Sequence, residues 1–334
     1  MSEGDDVSVR TLVPEEATQL INLIRRCYGG TYIDPSFYRE AAVSDLLRDR
    51  RLRSIGAFTQ AGQLVGHMGI STRAHAGVTA DAGMTLVDPA FRGRGIARKV
   101  ALGLAQESMA LGLVGVHDYP VTVHAATQRL GAGFGVDTGL MLANMPGDVV
   151  FQEMETPAPG VRTSSIIRWL PFGPAPARSV YLPGRYREAL ETLYAKARLD
   201  RTVHPSAEDL GGWPSELESD YNERRQALRI AVLRTGDDLA ERIASEMSDV
   251  SARGALVAHV DLSLSDPTAA AATEVLRGLG FSLAGLLPEY RDGDVLRLQW
   301  LGEEVGDSAF SVLSTDATEA IAALVLADRR PMSR

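Results

Sequence analysis

Cysteine is nearly absent from this chain. Among 334 residues there is one, Cys27, which excludes an intramolecular disulfide and a cysteine-based metal site. The apolar pattern around Cys27 predicts a small buried side chain on a helix. Long apolar runs are also missing, since none approaches the roughly 20 residues that span a membrane. Because the N-terminal segment MSEGDDVSVR has no signal-peptide core, we expect a cytoplasmic protein with no membrane partner.

Positive charge is in the minority. The chain has 34 Lys and Arg residues against 43 Asp and Glu residues, for a net charge of −9. Because a nucleic-acid-binding face must neutralise phosphates, this balance argues against a nucleic-acid partner. The remaining composition, 45% hydrophobic and 23% charged, is that of a globular protein. A basic cluster inside this acidic chain is therefore informative.

The length is sufficient for two domains, each with its own core. Proline and small residues concentrate in the segment PFGPAPAR, residues 171–178, which we interpret as a linker. We expect one domain at residues 1–170 and a second at residues 179–334. In the first, alternating and helical apolar patterns predict the order β-α-α-β-β-β-α-β-α-β, an α/β mixed sheet with helices on its faces.

Three short segments of the second half repeat segments of the first half in the same order. LVGVHDY at 113–119 corresponds to LVAHVDL at 256–262, and ATQRLGAGF at 126–134 corresponds to ATEVLRGLGF at 272–281. IIRWL before the linker corresponds to RLQWL, which ends at Leu301. The set predicts duplication of one supersecondary unit.

The segment FRGRGIARK, residues 91–99, places two glycines among arginines between a predicted strand and a long helix at about Gly95 to Leu111. Free amides at a helix N-terminus can converge on an anion, and glycines allow its close approach. The arginines that add phosphate-binding charge are Arg92, Arg94 and Arg98. The residue types leave two interpretations open, a solvated basic turn or a phosphate site. The corresponding turn of the second half is acidic, with Asp237 and Asp238, and does not suit an anion.

The segment VDPAFRGRGIARKVALGLAQ, residues 87–106, resembles the signature of the GNAT acetyltransferase superfamily, V-x-P-x-x-[RQ]-x-x-G-x-[GA]. Arg92, Gly95 and Ala97 occupy its fixed positions. The resemblance covers about residues 7–170, and the repeated segments extend it weakly to Leu301. It implies a tandem GNAT-like acyl-CoA N-acyltransferase fold with two domains, the second degenerate.

The same resemblance implies a co-substrate, acetyl-CoA or another acyl-CoA. The pyrophosphate would contact the amides of residues 92–97, and the edge of the preceding strand would pair with the pantetheine arm. The cofactor-binding residues expected on this basis are Leu86, Val87, Arg92, Gly93, Arg94, Gly95, Ile96 and Ala97.

The resemblance also directs attention to candidate catalytic groups. Family members often carry a glutamate on the strand before the signature, and this chain has Asp81 at that position. Asp81 is therefore a candidate for the base that takes the proton of the amine, directly or through a water, with a structural role left open. Many use a tyrosine on a following helix to protonate the thiolate, but that position holds Arg129. Tyr119 as acid and His124 as base are the substitutes, each with a structural role left open.

Other titratable residues have simpler interpretations. His117 alternates with apolar positions, so we expect it to be a buried structural residue. His259 and Asp261, on the equivalent strand of the second half, are interpreted as inherited structure. The segment at residues 117–124 contains two histidines, His117 and His124, and no cysteine. We therefore expect no metal site there and no metal cofactor.

The leading functional hypothesis is an acyl-CoA-dependent N-acyltransferase that acts on a small-molecule amine by direct attack on the thioester. A second enzyme hypothesis keeps the CoA site but changes the chemistry to O-acylation or acyl-CoA decarboxylation. A third is a non-catalytic CoA-sensing or scaffold protein. The net negative charge favours a cationic acceptor weakly. The acceptor, the acyl length and the existence of a homodimer stay open.

Overall fold

The computed structural model describes residues 7–72, 77–302 and 312–329. The ends of the two predicted domains, residues 1–6 and 330–334, lie outside the described residues. The first half contains these elements: β1 Ser8–Thr11, α1 Ala17–Tyr28, α2 Glu40–Arg48, β2 Leu52–Phe58, β3 Leu64–Ser71, β4 Thr79–Val87, α3 Ile96–Ala110, β5 Gly115–Asp118, α4 Ala126–Gly131, β6 Val136–Met145 and β7 Thr163–Pro171. Their order is the order that the apolar patterns predict.

After the proline-rich segment the chain continues with a second series of elements. They are β8 Arg178–Tyr181, α5 Arg187–Ala197, β9 Arg201–His204, β10 Glu216–Asn222, β11 Ala227–Arg234, α6 Leu239–Ser251, β12 Val257–Ser263, α7 Ala269–Gly278, β13 Ser282–Arg291, β14 Gly293–Leu301 and α8 Asp316–Asp328. None of the helices in the described ranges has the length and apolar character needed to cross a bilayer.

Twelve strands of the described chain form one sheet in the order β1-β2-β3-β4-β5-β7-β6-β13-β14-β12-β11-β10, while β8 and β9 pair separately. The pairs β4–β5 and β11–β12 are parallel, and every other neighbouring pair in the large sheet is antiparallel. The mixed α/β prediction is therefore confirmed. Strands β10 to β14 repeat, in mirrored order, the arrangement and directions of β3 to β7. This symmetry supports the proposed duplication, and the two-domain division stays a prediction.

The two halves meet where β6 and β13 cross, at the register pair Gly139 and Gly285. A Cβ atom at Gly139 would lie 2.3 Å from the carbonyl oxygen of Ala284, so no side chain fits there. The side chain of Gln299 joins the backbones, because its Oε1 accepts from the Leu142 amide at 2.8 Å. The halves therefore share hydrogen bonds as well as an apolar core.

Helix α8 packs on both halves of the chain. Its buried residues Ile321 and Val325 belong to a core cluster that also includes Leu140 of β6. The Thr318 hydroxyl at the start of α8 donates to Asp137 Oδ2 of β6 at 2.9 Å. The helix thus covers the crossing of β6 and β13, a position that sequence periodicity does not determine.

Candidate functional site

A cavity of about 780 Å³ opens where β4 and β5 separate. The parallel pairing of these strands includes Thr79, Ala80 and Asp81 only, and β4 then continues to Val87 along β3. The cavity is lined by residues 81–87 of β4 and by most of the turn at 91–97. The predicted strand edge and the predicted basic turn, including Leu86, Val87, Ile96 and Ala97, therefore border one space.

The turn before α3 has the geometry of an anion-binding nest. Gly93 and Gly95 have φ values of 78° and 73°, left-handed conformations that favour glycine. Gly95 is the N-cap of α3, with no side-chain cap. Among the described residues, none accepts a hydrogen bond from the amides of residues 93–98. These amides are available to an anion from outside, and the helix dipole adds positive potential.

The arginines of this turn have different surroundings. Arg92 Nη1 donates to the carbonyl oxygens of Gln152 at 2.7 Å and Glu153 at 3.1 Å, so its guanidinium fastens the segment after β6. Arg94 is exposed, with its guanidinium 5.1 Å from the centre of the Phe91 ring. The backbone of the turn is therefore a better anion ligand than the Arg92 side chain.

Two of the three predicted catalytic residues are in contact. The Tyr119 hydroxyl donates to Asp81 Oδ1 at 2.9 Å, and both half-buried side chains line the cavity where the strands separate. Asp81 is the last residue of β4 that pairs with β5, opposite His117. The structure thus places a carboxylate and a phenol at one point of the cavity, as a proton-transfer site requires.

His124, the third predicted catalytic residue, lies on another wall. Its ring packs edge-on against Phe151 with 5.1 Å between centres. Burial lowers its pKa, so the imidazole is neutral at neutral pH, and its Nδ1 has no hydrogen-bond partner within the described ranges. His117 is fully buried, between Trp169 and Tyr290. Cys27 is buried too, with its Sγ 3.4 Å from the Val87 carbonyl oxygen, and burial raises its pKa to about 11.

Asp118 is a site residue that the sequence analysis passed over. Its carboxylate accepts from the Tyr119 amide at 3.0 Å and lines the cavity. Burial raises its pKa to about 6, against the opposing charge of Arg168. Its place directly before Tyr119 at a strand end was visible in the sequence, but its burial was not. A carboxyl group that titrates near neutral pH beside Asp81 and Tyr119 is a second candidate base.

We expect Asp118→Asn to stabilise the protein at pH 8 but not at pH 4. Because the folded-state pKa of about 6 lies above the ordinary 3.8, ionisation destabilises the folded protein as pH rises between these values. At pH 8 the free energy of unfolding should rise by roughly 1–3 kcal/mol. Urea unfolding at both pH values measures this, with exposed Asp45→Asn as control. A larger gain at pH 4 would contradict the assignment.

The far wall of the cavity comes from the second half. It includes Asp220, Asn222, Arg225, Ala227, Leu228, Arg229, His259 and Arg297. His259 is buried, and burial with nearby arginines lowers its pKa to about 3, so its imidazole is neutral. Asp261 lies behind this wall in a bidentate ion pair with Arg297. The second half therefore contributes to the cavity itself, beyond the structural role that its sequence indicated.

Comparisons with known proteins bear on this site. Residues 17–131 match the model of the Acetyltransferase (GNAT) family. A search of curated proteins returned no match. Within the described ranges, no group of three or more His, Cys, Asp or Glu residues is arranged to hold a metal ion.

Solved structures similar to this chain include three acetyltransferase-type proteins. The yncA protein of Salmonella typhimurium, solved with its cofactor acetyl-CoA, is 16% identical with a TM-score of 0.41, over 52% of this chain and 97% of its own. A GNAT family N-acetyltransferase (YhbS) from Escherichia coli in complex with CoA is 19% identical with a TM-score of 0.32, over 48% and 81%. A spermidine N-acetyltransferase chimera from Vibrio cholerae and hSSAT is 15% identical with a TM-score of 0.38, over 50% and 95%.

Proposed function

We propose that the protein is an acyl-CoA-dependent N-acyltransferase of the GNAT acetyltransferase family, whose model residues 17–131 match, with acetyl-CoA as its co-substrate. The acceptor is the amine of a small molecule, and the location is the cytoplasm. The observation that carries the proposal is the set of amides at residues 93–98 without an acceptor among the described residues, since Gly93, Gly95, Ile96 and Ala97 of this set line the cavity.

The residues of the turn fit a diphosphate. Two glycines hold the backbone in left-handed conformations, and an added Cβ at either would meet no atom within 4 Å. The backbone conformation of the turn therefore favours glycine at both positions, and the space beside each glycine is open to a ligand. The amides and the N-terminus of the 15-residue helix α3 supply hydrogen-bond donors and positive potential. Strand β4, from Gly83 to Val87, runs along the same cavity and could pair with an extended arm.

Acetyl-CoA supplies an activated acyl group, so the protein must orient the acceptor and manage protons. An amine with a pKa near 10 has to lose a proton before it attacks a thioester. We propose that Asp81 accepts this proton, directly or through a water. The hydrogen bond from the Tyr119 hydroxyl then positions the Asp81 carboxylate. The N–C bond forms as the C–S bond breaks, and we assign Tyr119 as the acid that protonates the departing thiolate. His124 then has a structural role against Phe151.

The proposal is tested by CoA release. Purified protein is incubated with acetyl-CoA and a panel of small amines, alcohols and no acceptor, and free thiol is measured. Release that depends on an amine supports N-acylation. Release that depends on alcohols, or that needs no acceptor, would identify the alternative chemistries. Stabilisation by acetyl-CoA without release under any condition would identify a CoA-binding protein without catalysis.

We expect Gly95→Ala to weaken acetyl-CoA binding by about tenfold or more. A Cβ at φ 73° strains the turn, and the strained turn no longer presents its amides together. Isothermal calorimetry with acetyl-CoA measures the affinity.

Gly62→Ala is the matched control for this change. Gly62, in the turn between β2 and β3, has φ 78° and equally open surroundings. Gly62→Ala should therefore lower the free energy of unfolding by a similar amount, about 1 kcal/mol, without any loss of acetyl-CoA affinity. Equal affinities for the two variants would contradict the role of the turn.

A further inference from the structure

The second half places arginines at the end of the cavity opposite the turn. Arg225 lies in the connection between β10 and β11, and Arg229 lies in β11. Both line the same cavity as Asp81 and Tyr119. A ligand that reaches Asp81 and Tyr119, the proposed proton-transfer pair, therefore lies in one continuous space with these guanidinium groups.

Among the described residues, neither of these arginines forms an ion pair with a carboxylate. Arg229 Nη1 contacts the Tyr290 hydroxyl at 3.5 Å, and Arg225 Nη1 contacts the Asn144 carbonyl oxygen and Met145 Sδ, both at 3.4 Å. Neither arginine has a carboxylate within 4.0 Å among the described residues. By contrast, the third arginine of this wall, Arg297, is fully paired with Asp261.

Asp220 is an acidic residue opposite Arg229 in the sheet. Asp220 is the cross-strand partner of Arg229 in the β10–β11 ladder and lines the same cavity. Its carboxylate makes no ion pair with Arg229 within the described structure, although the register would allow one. Arg229 is an exposed side chain although it lines this cavity, so its guanidinium is accessible to a ligand.

The arginine end connects with the proton-transfer pair through packed rings. The Tyr290 ring, whose hydroxyl contacts Arg229, packs against His117 with 5.3 Å between centres. His117 pairs in register with Asp81. Tyr119 packs against the apolar cluster that contains Tyr290. Contacts through Tyr290 and His117 thus connect Arg229 to the strand position of Asp81.

We propose that the acceptor is a small amine that also carries an anionic group, as an amino acid does, and that Arg229 and Arg225 bind this group. The inference rests on the proposed N-acyltransferase function. A guanidinium presents a planar pair of donors that matches a carboxylate or a phosphate. The amine then faces Asp81 and Tyr119. The acceptor class differs from the cationic one that net charge favoured, because the excess acidic residues need not line this cavity.

Matched acceptors test the charge requirement. Serine, ethanolamine and phosphoethanolamine share a primary amine and differ in their anionic group, and lysine and cadaverine form a second set. With acetyl-CoA, we expect kcat/KM for CoA release to be at least about tenfold higher for the anionic members. The comparison of serine with phosphoethanolamine distinguishes a carboxylate site from a phosphate site.

Variants of Arg229 test the residue. Arg229→Gln should raise KM for the preferred anionic acceptor by about tenfold or more and reduce its preference over the matched amine, and Arg229→Lys should restore part of it. Arg234→Gln is the control, since Arg234 lies on the same strand outside the cavity lining. It should leave both quantities unchanged.

The outcomes separate this inference from the proposed function. Equal or higher rates with ethanolamine and cadaverine would overturn the anionic acceptor and leave N-acylation standing. No release from any of these acceptors, with stabilisation by acetyl-CoA intact, would overturn it as well. Absence of both release and stabilisation would instead overturn the proposed function.

Discussion

Asp81→Asn is expected to lower kcat for CoA release by about 10²- to 10⁴-fold, the usual contribution of a general base. Asparagine keeps the acceptor oxygen for the Tyr119 hydroxyl, which lies 2.9 Å from Asp81 Oδ1, and loses the ability to take a proton. The measurement is thiol release with the best acceptor as a function of pH. The residual rate should rise with pH, since only spontaneously deprotonated amine reacts.

Three further measurements define this result. Acetyl-CoA should stabilise Asp81→Asn and the parent protein to the same extent, because the substitution leaves the turn at 92–97 unchanged. Asp81→Glu, which restores a carboxylate, should recover part of the rate. Tyr119→Phe should lower kcat by a smaller factor, because solvent can protonate a thiolate. If Asp81→Asn keeps its rate while Asp118→Asn loses it, the base is Asp118.

Arg297→Met is expected to lower the free energy of unfolding by about 3–5 kcal/mol, because it leaves the charge of Asp261 buried and unpaired. The ion pair is bidentate, with Nε–Oδ1 and Nη2–Oδ2 distances of 2.6 and 2.7 Å, and both side chains are at most 2% exposed. Burial alone would raise the pKa of Asp261, but the Arg297 guanidinium outweighs it and holds the pKa below the ordinary value. Urea unfolding at pH 7 measures the loss.

A double variant distinguishes the effect of the unpaired charge from the effect of lost side-chain packing. The double variant Arg297→Met with Asp261→Leu removes both charges and should recover most of the stability. Arg234→Ala breaks an exposed ion pair with Glu216, 2.6 Å long, and should cost no more than about 1 kcal/mol. A loss for Arg297→Met that persists in the double variant would assign the effect to side-chain volume.

Local patterns predicted much of the first half. Apolar periodicity is a property of neighbouring residues, so the helices and strands up to β7 follow from it. The helix predicted at about Gly95 to Leu111 is α3, Ile96–Ala110, and the glycine before it takes the left-handed conformation that the turn requires. The match of residues 17–131 to the GNAT acetyltransferase family agrees with the signature at 87–106.

Other features depend on segments distant in the chain. Helix α8 packs across β6 as well as β13, which its own spacing does not reveal. Nothing in the sequence distinguishes Asp118, and only its burial in the structure raises its pKa to about 6. The contribution of β10 and β11 to the cavity could not be predicted either, because their sequences contain no recognisable motif.

By itself, the sequence determined the turn at 91–97 and the strand and helix on either side of it, because backbone conformation and amphipathic period are local properties. Only the tertiary structure decided which side chains share the cavity. Asp81 meets Tyr119 across 38 residues of chain, and Arg229 lies in the same cavity from the other half. Such contacts arise from sheet register and from the crossing of β6 and β13, which long-range packing sets. The turn that we propose to bind phosphate can therefore be recognised in the sequence, whereas the charge of the proposed acceptor pocket depends on the fold.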